Sequence, residues 1–158
     1  MFNSFLRFLL TIAAIAMLIS GCASSEGDLP GKHYPDPEYG YTKEKAIEVC
    51  KPAGQRQYLC SLLCKDGLPP TFARTGNVGM RHDLDIPEDA ILTPQEQREL
   101  AARIGDGDRI LAPGELDIHI VDRYEVDCRD RKVYLFLDMY HCAQPEPEFA
   151  PAEFSMMQ

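Results

Sequence analysis

No stretch of this 158-residue chain holds the roughly 20 consecutive apolar residues that a membrane-spanning helix needs. The longest apolar run, Phe8 to Ile19, is interrupted only by Thr11 and stops at twelve residues. Positive charge is scarce too: 16 Lys and Arg stand against 25 Asp and Glu. Such an acidic surface repels phosphate backbones and anionic head groups, which argues against nucleic acid and for a basic partner or a cation. Catalytic signatures are missing as well. There is no G-x-S-x-G, no H-E-x-x-H, no phosphate-binding loop and no Rossmann glycine pattern, so no catalytic residue and no cofactor is assigned.

What is present begins at the N-terminus. Arg7 is the only charge before Glu26, and the apolar run after it has the length of a secretory signal, about 7–15 residues. The run ends in Ile19-Ser20-Gly21-Cys22. These four residues resemble the lipobox of bacterial lipoproteins. The resemblance implies a signal peptide over 1–21, cut before Cys22, and a Cys22 sulfur carrying diacylglycerol with a further acyl chain (such as palmitate) on the new amine. One acyl chain holds a protein only marginally at a membrane, whereas two or more hold it firmly. Residue 23 is Ala where an Asp would resemble an inner-membrane retention signal. The expected location is therefore the outer membrane, lipid-anchored and facing the periplasm.

The mature chain carries 15 basic and 25 acidic residues. Residues 22–41 are rich in Ser, Gly, Pro and charge and read as a lipidated tether. Residues 143–158 alternate Pro and Glu and read as a flexible tail, in which Phe149 and Phe154 are the residues able to dock. Between them, 42–142 is one periplasmic domain.

Thr42 is expected to cap a short helix that puts Ala46, Ile47 and Cys50 on one face and ends at Pro52 and Gly54. Thr93-Pro94-Gln95-Glu96 predicts a capping box opening a surface helix that Gly105 stops. "DIHIVDRYEVDC" alternates apolar and polar residues, with Asp122 the exception, and predicts a half-buried strand. "RDRK" turns it into "VYLFLDMYHC", apolar on both faces and so more central. "QYLCSLLC" fits strand and helix and is read as a strand, paired around Asp66-Gly67 with an edge arm carrying Pro69 and Pro70. The fold class is α+β: a small, mostly antiparallel sheet of about four strands, one or two helices, and disulfides.

Five cysteines follow Cys22: Cys50, Cys60, Cys64, Cys128 and Cys142. In an oxidising compartment they belong in bridges. Cys128 at the hairpin turn and Cys142 at its open end lie roughly 30 Å apart at ~3.3 Å per residue, too far to bond. Each then pairs with one of Cys50, Cys60 and Cys64, in six possible arrangements. Cys50, Cys64, Cys128 and Cys142 are the favoured bridge residues. Cys60, set among leucines, is expected to be the free thiol, packed as a small apolar residue.

Cys60-Ser-Leu-Leu-Cys64 with a distant histidine is similar to copper-delivery proteins of the Sco type. That likeness implies a Cu(I) site completed by His141 or His119, but a thioredoxin fold that the βαβ-free pattern here does not share. Elsewhere, Asp138 and His141 in "DMYH" form an Asp–His pair near a strand end, with His141 expected opposite Ile120 and diagonal to Asp122. With no nucleophile beside it, this reads as a rim hydrogen bond. "RHDLD" offers His82, Asp83 and Asp85, and "DGD" offers Asp106 and Asp108, without the pattern of a calcium loop. No metal is assigned.

The order of motifs over 46–142 ("PAG", "YL..LLC.DG..P.F.R.G.VG", "HIVDRYEVDC", "DMYH") resembles a group of small lipoproteins and secreted proteins of Gram-negative bacteria. The likeness implies an exported α+β domain and no particular activity. The expected function is a non-enzymatic binding or structural module for another periplasmic or envelope protein. An immunity or inhibitor lipoprotein facing a basic toxin or hydrolase is the alternative, and copper handling through Cys60 and Cys64 the third.

Overall fold

A computed structural model describes residues 34–157 apart from Glu88. The leader, Cys22 and the tether up to residue 33 lie outside the described residues. Among those described, no helix is long and apolar enough to cross a membrane.

The centre of the domain is the hairpin that the alternation announced. β4 (Ile120–Cys128) and β5 (Arg131–Asp138) pair antiparallel, with Cys128 opposite Arg131 across the turn residues Arg129 and Asp130. Tyr124, Val126, Leu135 and Leu137 bury inward from it. β3 (Thr71–Met80) joins β4 antiparallel and is an edge, as the prolines just before it require. The register shifts after Arg74 and after Asn77, around Gly76 and Gly79, which both sit at positive φ. The other edge, β1 (Ile47–Glu48), runs parallel to β5, giving the order β1-β5-β4-β3.

β1 lies where a helix was expected. Ile47 and Val49 both enter the core, and the chain there bonds outward to β5 rather than to itself. Pro52, expected to end that helix, instead sits in the first turn of α1 (Lys51–Cys60), where its missing N–H costs nothing. α1 also takes up "QYLC", so the expected strand over 57–64 shrinks to β2 (Leu62–Leu63). The turn at Asp66-Gly67 is present: Gly67 has φ 76° and the Asp66 carboxylate accepts from Leu68 N–H. Its arms pair with different partners, so it is not a hairpin of the main sheet.

β2 pairs with β6 (Ser155–Met156), inside the segment read as a flexible tail. That reading is corrected. Phe154 is 1% exposed and among the largest fully buried side chains, packed in one core with Leu59, Leu62, Leu135 and Leu137. The hydroxyls of Tyr41 and Tyr58 donate to the carbonyls of Ala152 and Phe149 and tie the segment down. The domain also begins earlier than residue 42. Tyr34 N–H donates to Ala150 C=O, Gly40 C=O accepts from Phe136 N–H, and a side chain at Gly40 would strike Ile47 at 2.8 Å.

α2 (Pro94–Gly105) opens with the expected capping box of Thr93 and Glu96 and buries no residue. Two disulfides join pairs of described residues. Cys50–Cys142 joins the start of α1 to the segment after β5, and Cys64–Cys128 joins the Asp66-Gly67 turn to the tip of the hairpin. Cys128 and Cys142 thus take separate upstream partners. The free thiol expected at Cys60 is not found: no described cysteine is free. The reason is local. Cys60 ends α1 half-buried at the surface and does not sit mid-strand under leucines. The structure is α+β and disulfide-stabilised, as the pattern implied.

Candidate functional site

Three segments converge on one buried polar cluster. Asp117 and His119 lie just before β4, Asp138 ends β5, His141 follows three residues later, and Arg81 follows β3 directly. The β3–β4 ladder continues past its formal end through Arg81 N–H to His119 C=O and His82 N–H to Asp117 C=O, which brings Arg81 inward. The Cys50–Cys142 bridge fixes the residue next to His141. Tyr140 bridges to Cys50, so His141 is beyond the ladder; Asp138 faces Val121, and His141 does not stand opposite Ile120.

All four of Asp117, His119, Asp138 and His141 are buried, and the reading of Asp138 and His141 as a rim pair is replaced by an interior one. His141 Nε2 is 3.1 Å from Asp138 Oδ2 and 3.2 Å from Asp117 Oδ2. Burial alone would lower its pKa, but the two carboxylates outweigh that and raise it to about 9. For Asp117, burial acts upward, yet the close imidazoles of His119 and His141, the His119 backbone N–H and the Arg81 charge hold it well below the usual carboxylate range. Arg81 Nη1 donates to Glu48 Oε1 at 2.6 Å and Asp117 Oδ2 at 3.0 Å, and its other nitrogens reach the Glu44 and Ala46 carbonyls.

His119 stacks on Tyr140 and meets the His141 ring edge-on. Its Nδ1 lies 2.9 Å from Asp117 Oδ1, off the direction a hydrogen bond requires, and is left without a partner. Besides His119, the neighbours of His141 among the described residues are the carboxylates of Glu48, Asp117 and Asp138, with Arg81 and Gln144, and no hydroxyl or thiol stands among them.

A second buried network braces the sheet. Asp122, the exception in the alternation, takes a two-pronged contact from Arg74 and a bond from Gln55, whose Oε1 accepts from Tyr124. Asp83 pairs at the surface with Lys43, while Asp85, Asp106 and Asp108 stay exposed and apart from the cluster. Cys64 is bridged to Cys128, so in this state Cys60 and Cys64 do not offer copper a pair of thiolates.

Above the cluster a cleft of about 570 Å³ opens, with Glu48 and Arg81 among its lining residues. One wall is aromatic: Tyr34 stacks on Tyr39 at 4.2 Å and meets Phe149 edge-on. Glu44, Asp36 and Glu146 add carboxylates to the lining. The sequence flagged Asp138, His141 and His119 but missed Arg81, Asp117 and Glu48. Arg81 stood inside the quoted "RHDLD", masked by its flashier neighbours.

No protein-family model matches this chain, and neither does any curated protein or solved structure.

Proposed function

We propose that this protein is a non-enzymatic binding module of the cell envelope, held at the outer membrane by lipid on Cys22 and facing the periplasm. The observation that carries the binding reading is the cleft: an aromatic wall of Tyr34, Tyr39 and Phe149 beside the carboxylates of Glu44 and Glu146, with Asp36 already paired to Lys45. Aromatic faces and carboxylates together attract a lysine or arginine side chain, through cation–π contact and charge. The occupant is a basic segment of another envelope protein.

Photocrosslinking from a probe at the cleft in intact envelopes, compared with the double variant Glu44→Lys/Glu146→Lys, tests this. The crosslinked species should vanish in the variant and weaken as salt rises, because rim charges are screened over about 10 Å at 0.1 M salt. Crosslinking that is indifferent to both overturns the reading. Cys22→Ala should abolish fatty-acid labelling and release the domain from membranes; labelling that survives it overturns the anchor.

A further inference from the structure

We propose that Asp117, His119, Asp138 and His141 form a binding site for a divalent transition-metal ion, with zinc the best fit. One donor atom from each residue lies within 4.8 Å of all the others. Ligand atoms about 2.0–2.1 Å from a four-coordinate zinc are about 3.3 Å from one another. The separations bracket that edge: 3.1 Å for His141 Nε2 to Asp138 Oδ2, 3.8 Å for His119 Nδ1 to Asp138 Oδ2, and, for the two oxygens of Asp117, 2.9 Å from Oδ1 to His119 Nδ1 and 3.2 Å from Oδ2 to His141 Nε2. Two imidazoles and two carboxylates are the donor set that zinc shares with few harder ions.

His119 supplies the independent observation. Its ring is 2% exposed and held by Tyr140 and His141, yet Nδ1 points among the other donors with no hydrogen-bond partner. Leaving a buried polar atom unsatisfied costs about 1–3 kcal/mol. A lone pair given to a metal removes that cost without the alignment that a hydrogen bond to Asp117 would need.

Charge closes as well. Glu48, Asp117 and Asp138 are three carboxylates around one guanidinium. With neutral imidazoles, a divalent ion brings the group to zero. Arg81 Nη1 stands 3.0 Å from Asp117 Oδ2, 3.5 Å from His141 Nε2 and 3.8 Å from Asp138 Oδ2, so an entering ion displaces it toward Glu48 and the carbonyls of Glu44 and Ala46, which already hold the guanidinium. Four protein ligands leave no open position, so the ion is structural, pinning the segment before β4 to the end of β5. The inference does not depend on what occupies the cleft.

The test uses full-length protein, extracted with its disulfides intact and stripped with EDTA. Titration with zinc chloride should show one ion per chain, and cobalt(II) should give the intense visible bands of a four-coordinate site. Nitrogen NMR of the wild type should show zinc moving the ring signals of His119 and His141 while His82 stays fixed. His119→Gln, similar in size, should weaken zinc binding at least ~100-fold. No stoichiometric uptake by the wild type, ring shifts confined to His82, or uptake unchanged in a folded His119→Gln overturns the site. The wild-type titration and NMR decide the matter even where that variant fails to fold.

Discussion

His141 Nε2 stands 3.1 Å from Asp138 Oδ2, with the His141 side chain 4% exposed and that of Asp138 wholly buried. With Asp117 Oδ2 at 3.2 Å as the stronger influence, this contact makes the metal-free domain a proton-dependent one. The His141 pKa is raised to about 9, above the ~6.5 of an unfolded histidine. A raised pKa means the folded state holds the proton more tightly. That stabilisation is complete below pH ~6.5 and is lost as pH rises through about 9. Urea unfolding in EDTA should therefore show stability falling between pH 6.5 and 9, by an amount on the order of 3 kcal/mol. His141→Gln should flatten the decline; parallel curves for the two proteins would count against the pair.

Phe154 gives a second expectation. A passive tail tolerates truncation of its aromatic ring, whereas a core residue does not. Phe154→Ala should cost about 3–5 kcal/mol in chemical unfolding and make residues 143–157 sensitive to protease. A variant as stable as the wild type would return this segment to the status of a tail.

The bridges give a third. Alkylation before reduction, then peptide mapping, should recover Cys50 joined to Cys142 and Cys64 joined to Cys128. Removing either bridge by paired Cys→Ser substitution should cost about 2–5 kcal/mol. A peptide joining Cys128 to Cys142 would refute the hairpin register, because those residues sit at opposite ends of it.

The elements legible in the sequence are those whose signals are local. The β4–β5 hairpin repeats a two-residue period over many residues and turns on Arg129-Asp130. α2 carries its own start in Thr93 and Glu96. β1, β2 and β6 are two residues long each, and their strand character comes from partners 90 to 94 positions away, which no local window contains. Pro52 shows the ambiguity at its sharpest, since proline suits the first turn of a helix as well as the residue after its end. In the site, the strand alternation groups the odd-numbered His119 with the polar positions. The chain before β4 buries Asp117, Ile118 and His119 in succession instead, because Arg81 and the segment after β5 close over it. Arg81 and Asp117 had no spacing signal at all; only the convergence of separate segments gives them a role.

The burial of Phe154 also sets a timetable. Leu59 and Leu62 share a core with a ring that is synthesised more than 90 residues later, and Cys50 waits equally long for Cys142. Pairings this distant close slowly, because the loop entropy is spent before the contacts form. The domain therefore cannot complete its core while its last strand is still inside the ribosome or a translocation channel. Under the export proposed above, that delay would keep the chain threadable until nearly all of it had passed and leave its bridges to close on the far side.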